Sequence, residues 1–273
     1  MIDTSEVDSR QSDPRWSGGG RDSGASPAVE FGSVSAGYRG RDVVSDIDLS
    51  IGAEERVALI GPNGAGKSTL LRVLAGLLPP RTGEVRLLGQ NVAELDRPAI
   101  ARRLAVVPQL AALPFATRVE EVVALGRLPH EDALRGPREA DRAAVAAAID
   151  RVGLRPLVGR DARELSLGER QLVFLALAVA QQAPVLLLDE PTVHLDLGHQ
   201  VQIMELLRDL NERDGTTILA VLHDLSLAAH FFPRLVLLDV GRIASDGPPA
   251  EVLAPHRVRS VFRVDPGLIR APA

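Results

Sequence analysis

Cysteine is absent from this chain of 273 residues. Disulfide frameworks, zinc sites built on thiolates and thiol nucleophiles are therefore all excluded. Long apolar runs are missing too, since the longest uninterrupted stretch, Leu172 to Ala180, has nine residues and is too short to span a bilayer. The first thirty residues contain no apolar segment of the kind that a secretory signal needs. These absences predict a soluble, cytoplasmic chain.

Positive charge is also scarce, and lysine is almost missing. The formal net charge is −5, which argues against a nucleic-acid-binding protein because such proteins need a basic face. Of the 31 basic side chains, 30 are arginine and only Lys67 is lysine. Because the chain uses arginine wherever a general positive charge is enough, the single ammonium of Lys67 is a candidate for chemistry.

Composition divides the chain into three parts. Residues 1–28 are rich in Ser, Gly and Asp and predict a disordered arm. Residues 29–264 carry strand and helix patterns of one α/β domain, and residues 265–273 form a short tail. Between about 92 and 165, alanine-rich helical patterns interrupted by prolines predict a helical subdomain inserted into that domain.

Strand patterns alternate with helix patterns through the rest of the domain, which predicts a mostly parallel sheet covered on both faces. An antiparallel hairpin is expected first, over 29–38 and 42–51. Further strands are predicted at 56–60, 83–88, 185–188, 216–222 and 234–240, and helices at 67–78, 118–126, 138–152, 167–182 and about 198–212.

A glycine-rich segment matches the phosphate-loop pattern G-x-x-x-x-G-K-[ST] between a predicted strand and a predicted helix. Glycines let backbone N–H groups wrap a phosphate, and the helix N-terminus adds partial positive charge. Lys67 would reach the β- and γ-phosphates and Ser68 would ligate Mg²⁺. A chance glycine-rich turn is the alternative, which the flanking elements and the lone lysine disfavour. The segment consists of Gly61, Pro62, Asn63, Gly64, Ala65, Gly66, Lys67, Ser68 and Thr69.

Two acidic residues follow the apolar run 185–188. This pattern predicts a buried strand that delivers Asp189 and Glu190 to the carboxyl edge of the sheet, where α/β folds bind ligands. Asp189 would hold Mg²⁺ through water, and Glu190 would act as general base toward the attacking water. A strand that ends in solvated acids is common by itself, but the phosphate loop upstream favours the catalytic interpretation.

The segment Leu165-Ser-Leu-Gly-Glu-Arg-Gln171 lies between these two motifs. Together the three motifs resemble the ATP-binding subunits of ABC transporters, and the resemblance covers residues 29–264. It implies a P-loop NTPase core, with a mostly parallel sheet, flanking helices and an N-terminal antiparallel β portion, plus an inserted α-helical subdomain. In that family this segment is the signature motif, whose Ser166, Gly168 and Glu169 serve the nucleotide of the opposite subunit. Alternatively, Ser166 only caps its own helix; both roles are compatible.

The same resemblance assigns roles to four more residues. Tyr38, which lies 23 residues before Gly61, would stack on adenine. Gln109 would contact Mg²⁺ and the attacking water, and His223 would contact the γ-phosphate. Asp196 would cross the interface between two subunits. Without the family, each would be an ordinary surface or strand-end residue.

Three positions depart from the family pattern. Leu167 replaces the usual signature glycine and adds a side chain near the backbone that faces the phosphate. Leu172 and Ala178 stand where arginines are common. Since the serine, the second glycine and the acidic residue remain, we expect activity to be retained.

Several other classes fit the sequence less well. A regulatory GTPase would need an Asn-Lys-x-Asp motif, which a chain with lysine only at position 67 lacks. A small-molecule kinase would not explain the signature segment or His223. An ABC ATPase of another importer and a non-transport ABC ATPase both remain alternatives, although the latter usually carries two cassettes or basic surfaces.

Within importers, the segments 114–130, 191–200, 221–229 and 246–253 resemble the iron-siderophore, haem and cobalamin group. The resemblance implies a homodimer that sandwiches two ATP·Mg²⁺ and binds two permease subunits on the cytoplasmic face of the cell membrane. A substrate-binding protein would be an indirect partner, and nucleic acid would not. An iron-siderophore is the first expectation for the substrate, with haem or cobalamin next. His194 and His199 are poorly spaced for a metal site on a helix, so iron binding by this chain is not expected.

Overall fold

Two β-sheets organise the part of the chain that the computed structural model describes, residues 26–109, 115–131 and 136–263. The strands are β1 (Val29–Tyr38), β2 (Arg41–Ile51), β3 (Arg56–Ile60), β4 (Thr82–Leu87), β5 (Gln90–Asn91), β6 (Leu104–Val107), β7 (Val185–Asp189), β8 (Thr217–Val221), β9 (Arg234–Asp239) and β10 (Arg242–Gly247).

Helices lie between most of these strands. They are α1 (Lys67–Leu74), α2 (Arg97–Ala101), α3 (Val119–Ala124), α4 (Glu139–Val152), α5 (Leu167–Gln181), α6 (Leu197–Asp214), α7 (Leu225–Phe231), α8 (Pro249–Val252) and α9 (Pro255–Phe262). Short 3-10 helices occur at Val92–Glu94, Leu125–His130, Arg155–Leu157 and Ala162–Glu164. None of the helices within the described ranges is long and apolar enough to cross a membrane.

The first sheet is antiparallel and has the strand order β2-β1-β4-β5. Its hairpin closes where Tyr38 pairs with Arg41, so that Arg39 and Gly40 form a two-residue turn. Both turn residues have positive φ, 48° and 81°, which is the geometry that matches the natural twist of paired strands. One layer of the core lies between this sheet and the second sheet.

The second sheet has the order β10-β9-β3-β8-β7-β6 and is parallel except for β10. Strands β7, β8 and β9 are almost entirely apolar because helices or the other sheet cover both of their faces. The carboxyl ends of β3, β6, β7 and β8 therefore meet at one edge, which is where an open α/β sheet binds its ligand.

A helical layer formed by α3 and α4 packs on α5. The 3-10 helix that follows α3 approaches α5 closely at Gly126, where a Cβ atom would lie 2.2 Å from the carbonyl oxygen of Leu177. Beside it, the buried guanidinium of Arg127 binds Asp141 at 3.0 Å and the carbonyl of Ala180 at 2.7 Å. The helical layer is thus joined to the helix whose N-terminus carries Ser166.

The fold class predicted from the sequence is confirmed, but several individual elements differ from their predictions or were not predicted, among them β6, β10 and α1. Strand β6 was not predicted, and it pairs with β7 in the core sheet although it lies inside the range expected to be helical. Helix α1 ends at Leu74 rather than near Leu78, because the chain turns at Gly76 with φ of 65°.

The predicted division into arm, domain and tail stays a prediction. Residues 1–25 and the tail 265–273 lie outside the described residues. Ala28, at the end of the predicted arm, is buried and donates a hydrogen bond to the carbonyl of Ile51 at 2.8 Å.

Candidate functional site

A glycine-rich loop connects β3 to α1 and requires glycine at two positions. Gly61 has φ of 146°, and a Cβ there would lie 2.1 Å from the carbonyl oxygen of Leu238. Gly66 has φ of 106°, and its Cβ would lie 2.5 Å from Cγ1 of Val44. Larger residues would push the loop away from its neighbours, so the sequence pattern has a direct steric cause. The loop comprises Gly61, Pro62, Asn63, Gly64, Ala65 and Gly66, and Lys67, Ser68 and Thr69 form the first turn of α1.

Lys67 points back into this loop. Its ammonium donates hydrogen bonds to the carbonyls of Gly61 at 2.8 Å and Pro62 at 3.0 Å, and the residue is only 5% exposed. Burial lowers the pKa of Lys67, and the carboxylates of Glu190 and Asp189 partly oppose that effect. The only lysine of the chain is therefore a buried cation at the centre of a loop with the shape to hold an anion.

Asp189 lies at the end of β7 and faces the first turn of α1. Ser68 Oγ donates to its Oδ1 at 3.4 Å, a long hydrogen bond that brings the two sequence motifs together. Burial, and then the neighbouring charge of Glu190, raise the pKa of Asp189. A hydroxyl and a carboxylate in contact form the kind of oxygen donor set that a hard divalent cation prefers.

Glu190 is the residue on which three strand ends converge. Gln109, just after β6, donates from Nε2 to Glu190 Oε2 at 2.6 Å, and His223 Nε2, just after β8, contacts Oε1. Glu190 has a positive φ of 52°, and its N–H donates to the carbonyl of Val221 at 3.1 Å. Its carboxylate is thus fixed at the carboxyl edge of the sheet, beside Asp189.

Tyr38 lies at the end of β1 and is 40% exposed. Its hydroxyl accepts a hydrogen bond from Arg72 of α1 at 2.9 Å. Arg72 belongs to no sequence motif, and only its position on α1, one turn after Ser68, indicates that it lies near the site. The ring is available on the surface, and its stacking on adenine stays a prediction.

Ser166 begins α5 with a reciprocal cap. Its Oγ accepts from the N–H of Glu169 at 3.2 Å, and the Glu169 carboxylate accepts from the N–H of Ser166 at 2.9 Å. These bonds lower the pKa of Glu169. The capping role considered for Ser166 is therefore present, and its own N–H is engaged within the chain. The N–H groups of Leu167 and Gly168 lie in the first turn, where a helix supplies no partner of its own.

Asp196 begins α6 in a comparable way. Its carboxylate accepts from the N–H of His199 at 3.0 Å and contacts His199 Nδ1 at 2.7 Å. The bond from the His199 backbone is the main reason that the pKa of Asp196 is lowered. His199 is a residue that the sequence analysis considered only as a metal ligand.

The predicted site residues fall into two groups in the structure. Hydrogen bonds join Ser68 to Asp189, and Gln109 and His223 to Glu190, with Lys67 nearby. Tyr38, Ser166, Glu169 and Asp196 form hydrogen bonds with other neighbours, and Gly168 lies against His199. The roles of these five residues toward a nucleotide stay predictions. Of the positions that depart from the family, Leu172 and Ala178 are buried in the core, whereas Leu167 is 48% exposed.

A phosphate loop ahead of a helix, with two acidic residues at the end of the adjacent parallel strand, defines the class of P-loop nucleotide-binding proteins. A family profile described as ABC transporter matches residues 44–193. The chain belongs to the ABC transporter family, as one of its ATP-binding cassettes.

Curated relatives support this assignment over most of the chain. A hemin import ATP-binding protein of Streptomyces coelicolor is 46% identical over 231 residues, which cover 85% of this chain and 81% of the relative. An iron(3+)-hydroxamate import ATP-binding protein of Bacillus subtilis is 37% identical over 88% of this chain and 89% of the relative. A cobalamin import ATP-binding protein of Halobacterium salinarum is 44% identical over 82% of this chain, and the match spans only 56% of that longer relative.

Solved structures show the same fold. A metal-chelate type ABC transporter in an inward-facing conformation has a TM-score of 0.78 at 27% identity, over 88% of this chain and 90% of that chain. A dimeric ATP-binding cassette in a post-hydrolysis state, bound to ADP and Pi, has a TM-score of 0.70 at 29% identity, over 81% of this chain and 98% of that chain.

Proposed function

We propose that this chain is the ATP-hydrolysing subunit of an importer that moves a metal chelate through a separate permease. The observation that carries the proposal is the position of Glu190, held between Gln109 and His223 and adjacent to Asp189 and Lys67. This arrangement places an acid, a cation and a proton acceptor at one edge of the sheet.

ATP binding falls to the phosphate loop. The Lys67 ammonium, which donates to two carbonyls of its own loop, would transfer these bonds to the β- and γ-phosphates. Phosphate oxygens carry more negative charge than carbonyls, and charge-assisted hydrogen bonds are the stronger ones. The exposed ring of Tyr38 would stack on the adenine.

Mg²⁺ fits the pair of Ser68 and Asp189, with Gln109 as a further oxygen donor. The hydroxyl and the carboxylate already face one another, and the raised pKa of Asp189 reflects an acid that would gain from a nearby cation. When bound there, the ion would neutralise charge on the transferred phosphoryl group. Ser68 would supply its hydroxyl oxygen directly, and Asp189 would act through water.

Glu190 would accept the proton of the attacking water. The water oxygen bonds to the γ-phosphorus, the bond to the bridging oxygen of ADP breaks, and the water proton passes to the carboxylate. Gln109 and His223 each bond to one oxygen of Glu190, so they compete with the attacking water for its lone pairs. When Mg²⁺ and ATP are bound, Gln109 would turn toward the ion and His223 toward the γ-phosphate, which would leave the Glu190 carboxylate to the attacking water.

Two copies of the chain would close head to tail around two nucleotides. The first turn of α5 offers the N–H groups of Leu167 and Gly168 and the positive end of the helix dipole, which together suit a γ-phosphate held by the other copy. The similar cassette that is a dimer bound to ADP and Pi supports the assembly of two copies. Asp196, which begins α6, would lie at the interface of the copies.

Transport would follow from this closure. The relatives are named as hemin, cobalamin and iron(3+)-hydroxamate import proteins, which supports a metal chelate as the substrate, an iron-siderophore first and haem or cobalamin next. The apolar side chains of Phe115 and Leu128, which follow Gln109 in the sequence, are 76% and 60% exposed. They offer a surface on which permease subunits would bind, two in the complex, on the cytoplasmic face of the membrane. A binding protein would deliver the chelate to the permease.

Uptake of labelled ferric siderophore, haem and cobalamin by a strain that lacks this chain tests the proposal. We expect uptake of one chelate to disappear while its binding outside the cell continues. Expression of Glu190→Gln should restore assembly of the complex but not uptake, whereas the wild-type chain restores both. Normal entry of all three chelates, in a strain without a redundant importer, would contradict the substrate class and leave an ABC ATPase of another importer.

A further inference from the structure

His199 joins two segments of the chain that carry different motifs. It lies in the first turn of α6, where Asp196 accepts hydrogen bonds from both its backbone N–H, at 3.0 Å, and its ring Nδ1, at 2.7 Å. With Asp196 as the acceptor, Nδ1 carries the proton and the ring is fixed in one orientation. The imidazole is held by the segment that follows β7.

The other side of the ring lies against Gly168, in the first turn of α5. A Cβ atom at Gly168 would lie 2.5 Å from His199 Cδ2, 2.6 Å from Cγ and 2.8 Å from Nε2, so glycine is the residue that this contact admits. Ordinary van der Waals contact needs considerably more room, and a ring bonded to Asp196 cannot move aside freely. His199 therefore packs directly on the backbone of the signature segment of its own chain.

We propose that His199 is a positioning residue for ATP hydrolysis, which sets the first turn of α5 relative to Asp196. This inference rests on the proposed function. The Ser166–Glu169 cap fixes the shape of the turn from within α5. His199 fixes its position from α6, so that the N–H groups of Leu167 and Gly168 face the nucleotide bound by the partner copy.

Such a residue affects turnover more than binding. ATP first binds to the phosphate loop of one chain, and the signature segment of the other chain engages only when the copies close. A displacement of about 1 Å in a group that orients the reacting phosphate can reduce the rate about 100-fold. We expect a smaller effect here, because Asp196 and the cap at Ser166 remain in place when His199 is replaced.

Steady-state ATP hydrolysis by three variants tests the role. His199→Ala should lower kcat about tenfold and change the ATP affinity of the single chain less than about twofold. His199→Phe keeps a ring on Gly168, and His199→Asn keeps a donor for Asp196, so each should recover part of kcat. His256→Ala, at an exposed position in α9, is the matched control. A kcat for His199→Ala equal to that of this control would overturn the proposal.

Gly168→Ala tests the contact itself. In the wild-type background the new methyl group meets the ring, whereas in His199→Ala it does not. The fold-loss in kcat from Gly168→Ala should therefore be smaller when His199 is alanine. Equal losses in the two backgrounds would show that the ring does not act through Gly168.

Covalently linked dimers show which nucleotide His199 serves. Each composite site would consist of the phosphate loop of one chain and the signature segment of the other. With Lys67→Ala and His199→Ala in one chain and a wild-type partner, neither composite site is intact. With the two changes in different chains, one composite site is intact. The dimer with both changes in one chain should hydrolyse ATP more slowly than the dimer with one change in each chain. A faster rate for the dimer with both changes in one chain would overturn the proposal. A wild-type dimer without ATPase activity would overturn the proposed function itself.

Discussion

Lys67 and Asp189 carry opposite charges at the site, and burial disfavours the charged form of each residue. Burial lowers the pKa of Lys67 and raises that of Asp189, because in each case the low-polarity surroundings disfavour the charged form. The two residues lie within range of each other, yet their attraction does not cancel the desolvation. A phosphate and a divalent cation would supply the missing partners, so the strain is relieved by the ligands that the site is proposed to bind.

Replacing Asp189 by asparagine should stabilise the nucleotide-free protein at neutral pH. The amide keeps an acceptor for Ser68 and removes a carboxylate whose pKa is raised by burial. A raised pKa in the folded state favours folding at low pH, and this contribution is lost as the pH rises through that pKa. We expect Tm to rise by about 2–4 °C at about pH 7.5, and by less at about pH 4.5.

Asp239→Asn is the matched control for this prediction, because Asp239 ends β9 as Asp189 ends β7 and is also half-buried. Thermal unfolding of the three proteins at the two pH values gives the comparison. If Asp189→Asn has the same Tm as the wild-type protein, or a lower one, burial of the Asp189 carboxylate does not destabilise the folded protein.

At the scale of elements, the contact between the helical layer and α5 is a backbone contact. Gly126→Ala would place a methyl group 2.2 Å from the carbonyl oxygen of Leu177, so one of the two elements has to shift. Overpacking of this kind costs about 2 kcal/mol. Gly52→Ala is the control, since its Cβ would meet only the Glu55 side chain, at 3.4 Å. Urea unfolding that finds equal stability for the two variants would refute the role of this contact.

The elements predicted best from sequence are those with a strong local pattern. The hairpin over β1 and β2, the strand ending at Asp189 and the helix that Ser166 begins were all expected near their observed ends. Strand β6 was missed because its four residues give too short a pattern, and only its pairing with β7 makes it a strand. The predicted end of α1 at Leu78 was wrong because Gly76, two residues before that end, has a positive φ and turns the chain beside Ile100.

The chemical roles of the site residues could be predicted from the sequence, but most contacts between these residues could not. The phosphate loop and the acidic pair each have a local sequence pattern. Phosphate binding, cation binding and proton acceptance could therefore be assigned to particular residues. Gln109 and His223 both bind Glu190 because β6, β7 and β8 lie side by side in the sheet. The sequence pattern does not show which strands are neighbours, so these contacts could not be predicted from it. The packing of His199 on Gly168 depends on the approach of α5 to α6, for the same reason.

At the scale of the whole molecule, the proposed sites are shared between two chains. A linked dimer with Lys67→Ala in one chain and Ser166→Arg in the other should keep one intact composite site and measurable ATPase activity. Both changes in one chain, beside a wild-type partner, should damage both sites and leave a much lower rate. Equal rates in the two arrangements would mean that Ser166 works within its own chain.

Glu190 is proposed to accept the proton of the water that hydrolyses ATP, and Lys67 is proposed to bind the phosphates of that ATP. Replacement of these two residues tests both roles most directly. Glu190→Gln should bind ATP, lose at least about 100-fold in hydrolysis because an amide cannot accept the water proton, and elute as a dimer when ATP is present. Lys67→Ala should instead lose ATP binding and remain a monomer. The measurement is ATP hydrolysis together with gel filtration in the presence of ATP. Hydrolysis by Glu190→Gln at the wild-type rate would contradict the account.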